Sequence, residues 1–173
     1  ELVRPCLEGD RRSFESLVDR YQRTVYNVAV RMGAQKDDAE DITQSVFIKV
    51  FENLGTYDRK YKFFSWLYRI ALNESINFFH QRKPAQELGP DIASREKTPE
   101  EECSERELHE SIQQSLMSLK LDHRIVIVLN HFQDLSYEEI GYVLDIPEKT
   151  VKSRLFTARQ QLRNILLKTR EHP

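Results

Sequence analysis

The stretch Ser136-Tyr137-Glu138-Glu139-Ile140-Gly141-Tyr142-Val143-Leu144-Asp145-Ile146-Pro147-Glu148-Lys149-Thr150-Val151-Lys152-Ser153-Arg154-Leu155 decides how the C-terminal part of the chain folds. Ser136 followed three residues later by Glu139 is a capping box, in which each side chain satisfies a backbone N–H at the start of a helix. Pro147-Glu148 opens a second helix, since proline fits the first helical turn and an acidic side chain suits the positive end of the dipole. Two helices joined so tightly form a helix-turn-helix, which needs a small residue where the second crosses the first; Gly141 stands there. Ile140, Leu144, Ile146, Val151 and Leu155 supply the apolar seam, Val151 and Leu155 being one helical turn apart. Asp145 occupies the turn where glycine is common, and aspartate enters the left-handed conformation at modest cost. Around the seam stand Lys149, Thr150, Lys152, Ser153, Arg154 and Phe156, with Arg159 one turn further on. Cations and hydroxyls on the first turns of a helix suit the major groove, where the dipole meets phosphates and long side chains reach base edges. An ordinary helical hairpin with a solvated basic face would not require the capping box and the small residue together.

Working outward, Leu108, Ile112, Leu116 and Leu119 make one stripe of a helix over about 105–119, and Ile125, Val126, Val128 and Leu129 belong to a helix opening at Asp122. Upstream of both, Pro84, Gly89-Pro90, Thr98-Pro99 and the run Glu100-Glu101-Glu102 carry no stripe. Residues 84–104 therefore read as a flexible acidic linker. N-terminal to it, Asp10 can cap a helix with apolar positions Phe14, Leu17, Val18, Tyr21, Val25, Val28, Ala29 and Met32, and Gly33 stops it. A second helix starts near Asp37-Asp38, with four carboxylates in and near its first turn, and ends at Gly55. A third runs from about Ser65 to Arg82. The expected fold is all-α: an N-terminal helical bundle over 1–83 and a helix-turn-helix domain over 105–173, joined by the linker.

Charge follows the same division. The whole chain carries −2, which by itself argues against a polyanion partner. Yet 148–170 holds Lys149, Lys152, Arg154, Arg159, Arg163, Lys168 and Arg170 against Glu148 alone, and 59–83 holds Arg59, Lys60, Lys62, Arg69, Arg82 and Lys83 against Glu74 alone. Two basic zones flank an acidic one, and local charge governs encounter with nucleic acid more than the sum does. Cys6 and Cys103 match no zinc or redox spacing, so no disulfide, catalytic thiol or metal site is expected. No window approaches the roughly 18 apolar residues of a membrane span and Glu1-Leu2-Val3-Arg4 is no secretory leader; a cytoplasmic chain without membrane insertion is expected.

The N-terminal bundle offers two candidate surfaces. Arg69, Asn73 and Asn77 fall four apart on the face opposite the core positions of the third helix, just after Tyr57, Arg59, Lys60, Tyr61, Lys62, Phe63 and Phe64. Aromatics mixed with cations can hold unstacked bases of a single strand, although aromatics before a helix are more often core. On the second helix Asp41, Gln44, Ser45 and Ile48 share one face, while Val46 and Val50 look inward. Phe47 and Phe51 exceed what one core stripe needs, through either a wide core face or a protein contact.

In order and spacing, Gly9-Asp10 with Phe14, Asp38-Ala39-Glu40-Asp41 through Phe47, Phe64-Ser65-Trp66-Leu67-Tyr68-Arg69-Ile70-Ala71, Leu135 through Ile140, and Thr150 through Leu155 together resemble the extracytoplasmic-function (ECF) sigma factors of the sigma-70 family. The resemblance covers nearly the whole chain. It implies that 1–83 is a region 2 domain and 105–173 a region 4 domain of a promoter-specificity subunit of bacterial RNA polymerase. It further implies that Asp41, Gln44, Phe47 and Ile48 meet the β′ clamp helices, with the β flap as a second polymerase contact. Tyr57, Arg59, Lys60, Lys62, Phe64, Arg69, Asn73 and Asn77 would meet the −10 element, where a base is flipped out of the duplex. Lys149, Thr150, Lys152, Ser153, Arg154, Phe156 and Arg159 would meet the −35 element. Core RNA polymerase, promoter DNA and an anti-sigma factor are the implied partners of a chain that is monomeric when free and needs no cofactor. The family usually has glutamate where Ser45 stands, arginine at position 152 and often a basic residue at 157; lysine makes a point contact where arginine forks onto guanine.

No His-Glu-x-x-His, phosphate-binding glycine loop or Ser-His-Asp arrangement is present, and His80, His109, His123, His131 and His172 are scattered, so no enzyme is expected. A resolvase-like enzyme would need an α/β catalytic domain, for which there is no strand pattern. A pure adaptor leaves the basic face of 148–170 unexplained. The rival reading is a free-standing dimeric helix-turn-helix regulator, which would bind duplex DNA tightly without polymerase.

Overall fold

The computed structural model describes residues 3–82 and 100–171, with side chains placed for 3–81 and 108–167. Among the described residues every regular element is helical. The expected linker falls mainly outside them, and its flexibility is not described.

After the short α1 (Val3–Leu7), α2 (Arg11–Met32) begins where Asp10 accepts the Arg12 N–H at 3.0 Å. It ends at Gly33, whose φ of 115° lies in the left-handed region that only glycine enters cheaply. α3 (Lys36–Asn53) passes through a 3₁₀ turn at Leu54–Thr56 into the loop that leads to α4 (Phe63–Arg82). Leu17, Val25, Ala29, Ile42, Val46, Val50, Leu67 and Ala71 bury the facing stripes of these three helices in one core. α4 starts ahead of the expected Ser65 because Lys62 closes its first turn, its carbonyl accepting the Ser65 N–H at 3.0 Å.

In the C-terminal part, α5 (Glu100–Met117) begins before the expected 105. α6 (Leu121–Ile127) runs on into a turn of π-helix at Val128–Phe132. α7 (Tyr137–Leu144) carries both arms of the Ser136/Glu139 capping box and closes on Asp145 at φ 53°. α8 (Glu148–Glu171) packs back over α6 and α7. A Cβ on Gly141 would stand 2.9 Å from the Ile146 carbonyl oxygen, so the α7–α8 crossing is as close as the sequence pattern requires.

The two halves do not stand apart. A second core joins Val28, Met32, Tyr68 and Leu72 of α2 and α4 to Leu116, Ile125, Leu129, Leu135 and Ile140 of the C-terminal half. Arg124 lies buried at this seam with its guanidinium forked over carbonyls: Met32 at 2.8 Å, Leu116 at 3.0 Å, Met117 at 2.9 Å and Leu119 at 3.2 Å. Met32 and Met117 end their helices, where the backbone ladder leaves carbonyls unpaired. Gln113 donates to the Val30 carbonyl at 2.8 Å, Tyr68 donates to Gln133 Oε1 at 2.6 Å, and the Arg31 guanidinium lies 3.7 Å from the Phe132 ring centroid. Burial pushes the Tyr68 phenol up to about 12.

Candidate nucleic-acid interface

The helix-turn-helix face comes first. With Val151, Leu155 and Ala158 buried, helical geometry turns Lys149, Lys152, Ser153 and Phe156 outward. These four recur at three and four residues and make one exposed strip on the first three turns of α8. Phe156 keeps 65% of its surface, which no packing in the fold explains. Lys152 pairs with Glu148 at 2.7 Å; the hydrogen bond to that carboxylate holds its ammonium pKa up. Thr150 is half-buried. The two arginines of the set turn away from the strip: Arg154 pairs with Asp122 of α6 at 3.0 Å, and Arg159 donates to Asn130 Oδ1 at 2.8 Å and to His131 Nε2 at 3.1 Å. Burial first, and the Arg159 charge second, lower the His131 pKa, which favours the neutral acceptor ring.

The loop before α4 divides in two. Tyr57 is tied into the aromatic packing of the N-terminal core: its hydroxyl donates to the Tyr61 carbonyl at 2.6 Å, and its ring meets Phe63 and Trp66 at 5.5 and 5.7 Å. Phe64 is half-buried and meets Tyr68 edge-on. Arg59 and Lys60 are exposed, with Asp58 Oδ1 accepting the Lys60 backbone N–H at 2.9 Å. Asn73 and Asn77 are exposed on α4 and line, with Arg69 and Trp66, a polar cleft of about 360 Å³. Lys62 and Arg69 are engaged with the other half. Lys62 Nζ lies 2.8 Å from Glu139 Oε1, and the Arg69 guanidinium lies 5.7 Å from the Tyr142 ring centroid. Burial works against the Glu139 carboxylate, but hydrogen bonds from Lys62 and Ser136 outweigh it and hold its pKa below the usual range.

The third surface lies on α3. Asp41, Gln44, Ser45 and Ile48 are exposed on one face, as their spacing predicts. The two phenylalanines part company: Phe47 keeps 7% exposure and belongs to the core, whereas Phe51 keeps 65% and meets Phe14 edge-on at 5.2 Å. Between α2 and α3 they frame an apolar groove of about 610 Å³, lined by Phe14, Val18, Gln44, Phe47, Ile48 and Phe51 among others. The surplus of apolar positions on α3 leaves Phe51 between a wide core face and a protein contact, and its exposure favours the contact; that Phe14 of α2 joins the groove is not visible in the spacing of α3.

Comparison with known proteins meets this geometry from outside. The family model described as Sigma-70 region 2 matches residues 17–84, and that described as Sigma-70, region 4 matches 109–162. The chain is 35% identical to the ECF RNA polymerase sigma factor SigW of Bacillus subtilis, over 95% of this chain and 94% of that one. It is 33% identical to the ECF RNA polymerase sigma-E factor of Escherichia coli, over 94% and 91%. In three dimensions it resembles CnrH, solved in complex with the cytosolic domain of CnrY, with a TM-score of 0.75, 26% identity and coverage of 95% and 94%. Its fold is also that of the sigma factor RpoE of Bartonella quintana, solved with the anti-sigma factor NepR, with a TM-score of 0.69, 20% identity and coverage of 88% and 96%.

Proposed function

The chain belongs to the sigma-70 family as an extracytoplasmic-function sigma factor, and from that premise we infer how its surfaces divide the work of starting transcription. It binds core RNA polymerase and directs initiation at specific promoters; sigma factors are initiation factors, and we assign it no catalysis of its own. The observation that carries the assignment of surfaces is the exposed strip Lys149, Lys152, Ser153 and Phe156 on α8, in which Phe156 stays 65% exposed and Lys152 is held only by a surface pair with Glu148 of its own helix and by the Tyr137 ring. We assign this strip to the −35 duplex, with Thr150, Arg154 and Arg159 at its edges. Arg59, Lys60, Lys62, Arg69, Asn73 and Asn77 are assigned to the −10 strand, with Tyr57 and Phe64 shaping the loop that presents them. Asp41, Gln44 and Ile48 are assigned to the β′ clamp helices, with Phe47 as the floor of the adjoining groove, and the C-terminal domain to the β flap.

The division makes physical sense. A small domain with a few phosphate contacts binds DNA weakly at physiological salt. Tethering two such domains to one polymerase turns the second contact into an intramolecular event. The domain limits proposed are 1–83 for region 2 and 105–173 for region 4, with 84–104 between them, the last five residues of which already belong to α5. We place the chain in the cytoplasm, where polymerase and template are, and no helix among the described residues is long and apolar enough to cross a membrane. An anti-sigma factor covering the apolar groove and the DNA surfaces is the proposed control, supported by the complexes in which CnrH and the Bartonella RpoE were solved. Free of partners the chain is assigned as a monomer.

Run-off transcription with purified core polymerase on a panel of ECF-type promoters tests the reading. Specific transcripts that vanish with Asp41→Ala and with Lys152→Ala support it. A dimer that binds promoter duplex tightly without polymerase and stimulates no template overturns it in favour of a free-standing regulator.

A further inference from the structure

Closure of the two halves lays one face of α7 on the loop before α4. Tyr61 and Tyr142 stack with ring centroids 3.7 Å apart and planes 16° from parallel. Among the described residues every other ring pair meets tilted or edge-on, at 5.2–6.1 Å. Face-to-face stacking at that spacing is how an aromatic side chain holds a nucleobase. Two cations bracket the stack: the Arg69 guanidinium lies 5.7 Å from the Tyr142 ring and Lys60 Nζ 5.6 Å from the Tyr61 ring. One helical turn before Tyr142, the Glu139 carboxylate meets Lys62 at 2.8 Å. The loop thus holds a ring on its tyrosine and an anion on its lysine, the two things a single DNA strand would bring to it.

We propose that α7 is an internal mimic of the −10 strand, with Tyr142 in the place of an extruded base and Glu139 in the place of a phosphate. The proposal rests on the reading of the loop as the −10 surface. It accounts for the chemistry of the contact, which the needs of closure do not. The halves are already joined by an apolar core, against which the Tyr142 ring also packs, and by the buried Arg124, whereas the ion pair leaves the Lys62 side chain 66% exposed over a Glu139 side chain that is 17% exposed. A contact made from exposed cations and half-exposed rings is one that nucleic acid can displace. The −35 strip on α8 stays uncovered in the same arrangement. The free chain is therefore masked toward single strands and open toward duplex, and its loop becomes available when polymerase draws the halves apart.

The test is fluorescence anisotropy of the full-length chain, without polymerase, against a labelled random-sequence single-stranded 20-mer and its duplex. Tyr142→Ala is expected to bind the single strand about tenfold more tightly than wild type, the worth of one released stacking site. Tyr142→Phe preserves the stack and should stay at the wild-type value. Glu139→Gln keeps the capping-box pattern and should give a smaller gain that fades with added salt. None of the three should change duplex binding. Unchanged single-strand affinity in both Tyr142→Ala and Glu139→Gln overturns the mimic, provided Tyr61→Ala still impairs promoter opening by the holoenzyme. A gain in Tyr142→Ala that survives the added Tyr61→Ala change overturns the assignment of the loop itself.

Discussion

Replacing Arg124 by methionine keeps the apolar stem of the side chain and removes its donors. The arginine is 9% exposed and makes its hydrogen bonds to carbonyl oxygens rather than to a carboxylate, so its charge has no ionic partner among them. Burial accordingly lowers its pKa, though a guanidinium stays charged throughout the working range. Leu116 O keeps a backbone partner, since it also accepts the Leu119 N–H at 3.1 Å. The Met32, Met117 and Leu119 carbonyls lie at or just past helix ends and lose the donor that caps them. An acceptor left unpaired costs about 1–3 kcal/mol, and the low end applies because the vacated polar space admits water and the desolvated charge is gone. The expected loss is roughly 3 kcal/mol, or about 6–12 °C in Tm for a chain of this size. Urea and thermal unfolding followed by far-ultraviolet circular dichroism measure it. Arg124→Lys should recover less than half, because an ammonium is a point donor that cannot fork across carbonyls from both halves. A loss below about 1 kcal/mol for Arg124→Met, no more than a surface substitution gives, would refute the view that this guanidinium fastens the two halves.

Other outcomes follow from single features. Gly141→Ala should destabilise the helix-turn-helix by about 1–2 kcal/mol despite alanine's better helix propensity, because its Cβ meets the Ile146 carbonyl at 2.9 Å; urea unfolding and −35 duplex binding should weaken together. Asp145→Asn should raise stability by about 0.5 kcal/mol, since asparagine accepts φ 53° at least as well and removes a negative charge from a helix C-terminus. Ile48→Asp and Phe51→Asp, at positions 59% and 65% exposed, should leave Tm within a degree or two but weaken binding to core polymerase at least tenfold; unchanged affinity in a direct titration would remove the groove from that interface. Tyr68 holds its proton more tightly folded than unfolded, so its contribution is complete below pH 10 and is lost as pH rises toward 12. Stability should fall over that window by up to roughly 3 kcal/mol, and Tyr68→Phe should flatten the fall.

Local chemistry made much of this protein legible in advance. Capping is a matter of a few neighbouring residues, so Asp10, the Ser136/Glu139 box and the left-handed stops at Gly33 and Asp145 stand where the sequence predicts. Helical periodicity is equally local, and it separated buried Val151 and Leu155 from the outward strip on α8, and buried Val46 and Val50 from the exposed face of α3. The family resemblance rests on those same short blocks.

What stayed hidden depends on where distant segments meet. No periodicity tells that α7 lies on the loop before α4, that Tyr142 stacks on Tyr61, or that Arg124 reaches the last carbonyl of α2. Nor does it tell Phe47 from Phe51: both exceed one stripe, and only the way α2 and α4 flank α3 makes one a core residue and the other a surface. Arg154 and Arg159 likewise sit in the basic pattern of α8, but Asp122 and the Asn130/His131 pair, contributed by α6 and the turn after it, draw them off the reading strip. Sequence alone determines each helix, its caps and its apolar side, because those follow from interactions within a few residues. Which exposed side chains remain available is decided by tertiary structure, because a charge or a ring is claimed by whatever the folded chain brings within a few ångströms of it.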